Sequence, residues 1–452
     1  MIVVKFGGTS VGDAAAIERA AAIVRTRLDR HPLVVVSAMA GVTNALLALA
    51  EQATQGQLIG ALLAVESLRT RHLDQAERLL AGDSAAADVA AELSATFDEL
   101  ASLAEALSVL GHLTPRSVDA IAAMGEQLSS TLVVPAFRAR GIDAEFVDAR
   151  SVMITDDSFT VAEPRADRIA DAARDHVLPL LRAGRVPVLG GFIGATEAGV
   201  TTTLGRGGSD YSASLLGAAL QADAIEIWTD VDGMLTADPR IVAGARLIDR
   251  IRFDEASELA SFGAKVLHPN TIAPAVRLGI PVFVYNSRRP EGTGTLITFE
   301  APRRPVSAFA GRSGTTVVRV GTPRMLLTHG FLNTVFAVFE RHRTSVDVVA
   351  TSEVSVSMTV DDPARLDALV VDLRQIGDVA IERNRGIVAI VGAGLSDGCE
   401  AMARALGALG GIKVHMLSLS ATGINLTLVV DGDQVTPAMR QLHAEFFPDC
   451  AA

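Results

Sequence analysis

Four times in its first 240 residues the chain repeats one arrangement: a short apolar run, then a turn built from glycines and small polar residues. Ile2–Phe6 leads into Gly7-Gly8-Thr9-Ser10 and a helical pattern over Ala14–Leu28. Leu33–Ser37 leads into Ala38–Asn44 and a helical stretch that continues to Gly111. Val186–Ile193 precedes Gly199–Tyr211, and then apolar residues at Ala213, Leu216 and Leu220 mark a helix face. Ile225–Asp230 runs into Val231–Arg240, where Asp-Gly and Asp-Pro signal tight turns. With Glu145–Val147 and Pro281–Tyr285 as further strands, this alternation predicts an α/β sandwich around a largely parallel sheet.

The turns carry the chemistry. Gly205, Gly207 and Gly208 strip side chains from the segment that opens a helix, so backbone N–H groups can face an anion there. Arg206 and Asp210 flank that bare backbone, and Ser209 or Asp210 stands where an N-cap is expected. The first glycine turn is neither the dinucleotide nor the P-loop fingerprint, because both spacings fail. Lys5, inside a buried β-run, is costly unless its ammonium meets an anion; an edge-strand lysine turned to water is the competing explanation. Glu126, in Met124–Ser129 at the start of or within a helix reaching Arg140, reads by itself as a solvated helix carboxylate. His268, before Pro269, reads as a hydrogen-bonded structural residue.

Beyond the Pro-, Gly- and Arg-rich segment Arg288–Pro305 the texture changes to a repeated β-α-β-β cadence, a weak internal repeat of a small α+β unit. A length of 452 residues fits about three domains. A net charge of −12 lacks the basic footprint that sequence-independent nucleic-acid binding needs. Two distant cysteines, Cys399 and Cys450, support neither a disulfide framework nor a metal cluster. No signal peptide and no membrane span are expected, so the expected location is cytoplasmic.

Taken in order, Lys5–Ser10, Thr201–Tyr211, Trp228-Thr229-Asp230, Ala237-Asp238-Pro239-Arg240 and Phe262–Pro269 resemble the motifs of aspartate kinases. The resemblance covers essentially the whole chain and is strongest to the lysine-sensitive, single-function type. It implies an amino-acid kinase three-layer sandwich over residues 1–300. Two ACT-type, ferredoxin-like regulatory units would follow, at 306–385 and 386–452. It also implies transfer of the γ-phosphoryl group of ATP, with magnesium on its phosphates, to the β-carboxylate of L-aspartate. The product, 4-phospho-L-aspartate, opens the lysine, threonine and methionine pathways. A homodimer or larger assembly through the ACT-type units and feedback by lysine are implied as well, with no nucleic-acid or membrane partner.

Residue by residue, the resemblance makes Lys5 the catalytic cation and Asp210 an organising carboxylate, a role that capping could accompany. Arg206 would meet the α-carboxylate of aspartate and Glu126 its ammonium, with Ser37, Thr43 and Ser209 orienting the substrate. Gly7, Gly8, Gly207 and Gly208 would bring backbone donors to the phosphates. Thr229, Asp230, Leu235, Arg240, Lys265 and Val266 match nucleotide positions; Leu235 stands where relatives often carry Tyr. No dedicated metal cage is expected. Met325, Thr328, Gly330, Phe331, Leu332, Asp347, Ser352, Glu353 and Val354 match the lysine site, where a solvated turn with ordinary core residues is the plainer reading. Leu327 departs from the histidine expected in that region. Glutamate 5-kinase or acetylglutamate kinase, and a non-catalytic amino-acid sensor, are the alternatives; the paired C-terminal units and the Arg206–Asp210 run count against the two kinases. Joint retention of Lys5, Arg206, Asp210 and Lys265 counts against the sensor.

Overall fold

A computed structural model describes residues 1–262, 271–322, 329–361 and 365–448. The chain forms two compact units, 1–234 with 266–299, and 235–265 with 300–452.

In the first unit the apolar runs become β1 (Ile2–Phe6), β2 (Pro32–Val36), β3 (Ala144–Phe146), β5 (Val186–Gly190) and β8 (Ala224–Thr229). Between β3 and β5 lies β4 (Ile154–Thr155); β6 (Ile193–Thr196) and β7 (Thr201–Thr203) come between β5 and β8. The main sheet runs β3-β5-β2-β1-β8, then β10 (Val282–Asn286) and β11 (Thr295–Ile297). All its neighbours here are parallel except β10 with β11. The helices α1 (Ala14–Arg25), α2 (Val42–Thr54), α3 (Leu58–Leu79), α4 (Ala86–Leu110) and α5 (Pro115–Ala139) fill the stretch expected to be helical. Then follow α6 (Ala166–His176), α7 (Leu178–Arg182), α8 (Gly208–Ala219) and, late in the chain, α10 (Ala273–Leu278). The run expected as one strand over Val186–Ile193 is two strands, β5 and β6. Phe192 between them takes a left-handed conformation with φ 66°, which a regular strand cannot accommodate.

Trp228 is fully buried at the end of β8, stacked on Tyr285 at 4.7 Å between ring centroids, with the Arg27 guanidinium 5.0 Å from its ring. Its carbonyl accepts hydrogen bonds from the Gly7 N–H and the Ser10 hydroxyl, so the first glycine turn is fixed to the neighbouring strand.

The second unit begins with a segment taken from the middle of the chain. Leu235–Lys265, expected inside the catalytic domain, carries β9 (Arg250–Ile251) and α9 (Phe253–Ser261). Buried Glu255 explains its placement: its carboxylate accepts hydrogen bonds from the Ser307 hydroxyl at 2.7 Å and the Ala393 N–H at 2.8 Å. Ala237 and Val242 join the same apolar core as Phe309, Ile390 and Leu442. The sheet of this unit is antiparallel, in the order β13 (Val349–Thr351), β14 (Ser355–Val360), β12 (Ala308–Gly321), β15 (Asp378–Val391), β17 (Asn425–Asp431), β16 (Met416–Leu419). The helices α11 (Phe331–Arg341), α12 (Leu366–Leu373), α13 (Glu400–Ala408) and α14 (Val435–Phe446) complete it.

Two α+β cores share the long strands β12 and β15, one around Val318, Phe339 and Leu369, the other around Phe309, Val388 and Leu428. The expected boundary at 385/386 therefore differs from the pairing seen. Ala308–Ser313 lies in register with Gly386–Val391, placing the start of the expected first unit in the second core. The crossing point is a break in register at Ser313–Val317, where Gly314 has φ 87°, a bulge that turns one strand from one core to the other.

Candidate active site

In parallel α/β sheets ligands bind beyond the C-terminal ends of the strands. Here the ends of β1 and β2, the middle of α5, the bend at Phe192 and the β7–α8 loop line a cavity of about 560 Å³. Lys5, Gly8, Ser37, Thr43, Glu126, Arg206, Gly207, Gly208, Ser209 and Asp210 all face it.

Lys5 is paired in register with Val35 on one side and Ile227 on the other, so its strand is central and the edge-strand reading fails. Its Nζ lies 2.6 Å from Asp210 Oδ1, with side chains only 9% and 14% exposed, although the angle falls outside hydrogen-bond geometry. Asp210 is not the helix cap. Gly207, with φ 74°, occupies the N-cap position, α8 starts at Gly208, and Ser209 and Asp210 fall in its first turn. The left-handed glycine ends the loop two or three residues earlier than expected, and the Asp210 carboxylate lies against Lys5 rather than capping the helix backbone.

Glu126 is 3% exposed rather than solvated, and its Oε2 is buried without a hydrogen-bond partner among the described residues. Burial pushes its carboxyl up to about 8, against the opposing pull of the Ala38 amide and the Lys5 ammonium. A buried, unpartnered carboxylate oxygen in a cavity is a receptor for a cationic donor. Lining the same cavity, Arg206 is exposed, with no ion-pair partner among the described residues. A carboxyl group and a guanidinium lining one cavity match the two charges of an amino acid.

The glycines divide. Gly7 N–H is spent on the Trp228 carbonyl at 2.9 Å and Gly208 N–H on the Gly205 carbonyl at 3.0 Å, so neither offers that donor to a phosphate, a correction to the expectation for both. Gly8, Gly207 and Gly208 all line the cavity wall. At Gly8 the backbone is so close to the turn after β2 that a Cβ would lie 2.8 Å from the Ala38 carbonyl oxygen.

Of the expected nucleotide residues, Thr229 ends β8 and Asp230 follows it, both in the first unit. The Thr229 carbonyl is held by the N–H and hydroxyl of Ser287. Leu235 and Arg240 belong to the second unit, where Arg240 is mostly exposed and forks onto Asp238. Lys265, Val266 and His268 lie outside the described residues. Among the described residues no group of three or more His, Cys, Asp or Glu side chains gathers to hold a metal.

In the second unit the residues matched to an effector are gathered less tightly. Met325, Leu327 and Thr328 lie outside the described residues. Gly330 caps α11 with φ 83°, Phe331 and Leu332 open that helix, and Glu353 and Val354 are exposed. The hydroxyls of Ser352 and Ser355 are 2.9 Å apart. Asp347 is already occupied by Arg312, 2.9 Å away, and burial raises its carboxyl despite that guanidinium.

Sequence reasoning missed Phe192, Thr160 and Asp119. The double glycine Gly190-Gly191 hinted at the bend before Phe192; nothing local marked Thr160. Asp119 was visible only as an acid two turns before Glu126 on a helix with an apolar face.

Comparison with known proteins identifies the family. Residues 1–286 match the amino acid kinase family and residues 388–446 match an ACT domain. Lysine-sensitive aspartokinase 3 of Escherichia coli K12 is 39% identical, with 99% of each chain covered. Chloroplastic aspartokinase 3 of Arabidopsis thaliana is 34% identical over 98% of this chain and 81% of its own. Among solved structures, E. coli aspartokinase III in complex with aspartate and ADP (R-state) superposes with a TM-score of 0.86 at 38% identity, covering 99% of this chain and 100% of that one. The same enzyme with lysine and aspartate (T-state) gives 0.82, at 38% identity and 99% coverage of both chains.

Proposed function

Because the chain belongs to the aspartokinases, within the amino acid kinase family, we infer that the cavity at the ends of β1 and β2 is where L-aspartate is phosphorylated. The enzyme transfers the γ-phosphoryl group of ATP to the β-carboxylate of aspartate, giving 4-phospho-L-aspartate and ADP, and lysine feeds back on it. The observation that carries the reading is the presence of Glu126 and Arg206, contributed by separate elements, in one cavity with Lys5 and Asp210.

Phosphoryl transfer between two anions asks for placement and charge neutralisation, because the acceptor is already ionised at neutral pH. A β-carboxylate oxygen forms a bond to the γ-phosphorus as the bond to the bridging oxygen of ADP breaks, and no proton has to move. In our reading Arg206 forks onto the substrate α-carboxylate and Glu126 accepts from its ammonium. Ser37, Thr43 and Ser209 are within the same cavity to orient the remainder. Lys5 neutralises the charge that develops on the phosphoryl oxygens, and Asp210 holds the ammonium in place for it. The charge on the nucleotide phosphates would be screened by magnesium bound to them, with no dedicated carboxylate cage among the described residues. Thr229 and Asp230 are assigned to the nucleoside, with Leu235, Arg240, Lys265 and Val266 as further nucleotide contacts.

Gly330, Phe331, Leu332, Asp347, Ser352, Glu353 and Val354, with Met325 and Thr328, are assigned to the effector. Lysine inhibits by binding one conformation better than another. Homodimers or larger assemblies through the ACT-type units and a cytoplasmic location complete the proposal; among the described residues no helix is long and apolar enough to cross a membrane.

The test is an ADP-release assay with aspartate, glutamate and N-acetylglutamate as acceptors, each with and without lysine, threonine and methionine. Turnover with aspartate, suppressed by lysine, is expected. Turnover with glutamate alone overturns the assignment.

A further inference from the structure

Asp119 is completely buried on α5, yet no cation pairs with it among the described residues. A carboxylate in that position is costly unless its oxygens are saturated by hydrogen bonds. They are saturated from two separate segments. The Thr160 N–H donates to both oxygens, at 3.0 and 2.9 Å. The Thr203 N–H donates at 3.0 Å and the Thr203 hydroxyl at 2.6 Å. An apolar side chain would fill the same space at less cost, so the carboxylate does something that packing alone does not require.

What it gathers is one wall of the substrate cavity. Thr203 ends β7 and directly precedes Leu204-Gly205-Arg206-Gly207-Gly208, and Thr160, Thr203, Gly205 and Arg206 all line the cavity. Thr160 is held at φ 74°, a left-handed conformation that a threonine adopts only when its surroundings impose it. Its carbonyl oxygen lies so close to Gly205 that a Cβ there would be 3.1 Å away, and the Ala162 N–H closes onto the Thr203 carbonyl at 3.0 Å. Seven residues along the same helix, two turns on and on the same face, α5 presents Glu126.

We propose that Asp119 is a positioning residue for the acceptor amino acid: it straps the Arg206 loop to the helix that carries Glu126, and so sets the span between the groups that meet the substrate's carboxylate and ammonium. It touches no reacting atom. This rests on the aspartate reading of the cavity.

Asp119→Asn keeps the shape but replaces one acceptor oxygen with an amide NH2, which in either orientation faces the Thr160 N–H and weakens its hold on the side chain, while the charge that strengthens all four bonds is lost. Steady-state kinetics with aspartate and ATP varied in turn should show the aspartate KM raised by about tenfold or more, as for loss of a charge-assisted bond. The ATP KM should stay within about twofold of wild type, a change too small to register as a lost contact. Thr203→Val, which removes only the hydroxyl contact, should raise the aspartate KM by about threefold, a fraction of one hydrogen bond. Thermal melts and circular dichroism accompany both. A part limited to holding the fold would lower the melting temperature and the active fraction while leaving both KM values alone.

If Asp119→Asn does not fold, Thr203→Val decides by itself, and an unchanged aspartate KM overturns the proposal. So does an Asp119→Asn enzyme whose two KM values move together or not at all while the wild type phosphorylates aspartate normally. A wild-type chain that ignores aspartate overturns the underlying assignment first, and this inference with it.

Discussion

Two cation–carboxylate pairs, one in each unit, show how differently the molecule treats the same chemistry. Lys5 and Asp210 are almost enclosed, with side-chain exposures of 9% and 14%, and sit on a central strand and a helix start that neighbouring elements fix. Arg312 and Asp347 are 25% and 26% exposed, and Arg312 divides itself between Asp347 and Asp361, beside the bulge where β12 passes from one core to the other. Charges held rigidly in a dry cavity act strongly on a reacting group, because nothing has to reorganise when the charge develops. A shared, half-wet pair is cheap to rearrange, which is what a site that answers to an effector needs. Under the proposed roles, the Lys5–Asp210 pair should therefore be intolerant of change and the Arg312–Asp347 pair forgiving in basal activity.

Lys5→Met, which keeps the apolar stem and removes the ammonium, should show the largest effect. A kcat loss of at least about a hundredfold is expected from the removal of one electrostatic stabiliser. Turnover near that of the wild type would place the two pairs on an equal footing and end the contrast.

Glu126→Gln comes next. With its carboxyl lifted to about 8 by burial, the free enzyme holds Glu126 largely protonated at neutral pH, whereas an incoming ammonium needs the carboxylate. The wild-type kcat/KM for aspartate should therefore climb as pH rises toward about 8 and then flatten. The stability trend has the opposite sign. A carboxyl raised in the folded state stabilises most below its unfolded value of 4.5, and that contribution is lost as pH rises through about 8. In Glu126→Gln both trends should vanish, with the aspartate KM up by about tenfold, the equivalent of one charged hydrogen bond. A pH profile identical in variant and wild type would assign the ionisation elsewhere.

The same contrast accounts for what could be read in the sequence. The strand–turn–helix repeats fixed the sheet because apolar runs and glycine turns are local signals, and Lys5, Arg206 and Asp210 stood out as charges inside them. Burial was not legible. Glu126 looked like a solvated helix acid because its helix pattern does not reveal that the faces toward Ala38 and Gly190 are both covered. Nor could local patterns show that Asp210 turns to Lys5, 205 positions earlier in the chain, when an N-cap explained it as well. The allocation of Leu235–Lys265 to the second unit depends on Glu255 meeting Ser307 and Ala393, contacts at long range. The shared strands β12 and β15 hid for a similar reason: β15 reads as two short runs, Val379–Arg383 and Ile387–Val391, and β12 as the single run Thr315–Val320, and only the pairing reveals their full length.

Asp347→Ala should abolish lysine inhibition while leaving the uninhibited rate within about twofold of wild type, since Arg312 keeps Asp361 as its partner and is not left as an unpaired charge. Loss of the basal rate as well would make Asp347 a fold residue rather than an effector contact.

The smallest change should come from Ser352→Ala. Its hydroxyl meets Ser355 across the exposed turn that precedes β14, and the Ser352 N–H is bonded independently to the Ser355 carbonyl at 2.8 Å. The turn should thus survive, and only the hydroxyl's contribution to the effector is lost, giving about a two- to fivefold rise in the lysine concentration for half-inhibition, the range of a single neutral hydrogen bond. Because Ser352 is assigned to the effector and to neither substrate, aspartate and ATP kinetics without lysine should be unaltered. A shift in the aspartate KM measured without lysine would mean that this turn biases the catalytic cavity even in the effector's absence, and the forgiving character assigned to the regulatory region would have to be withdrawn.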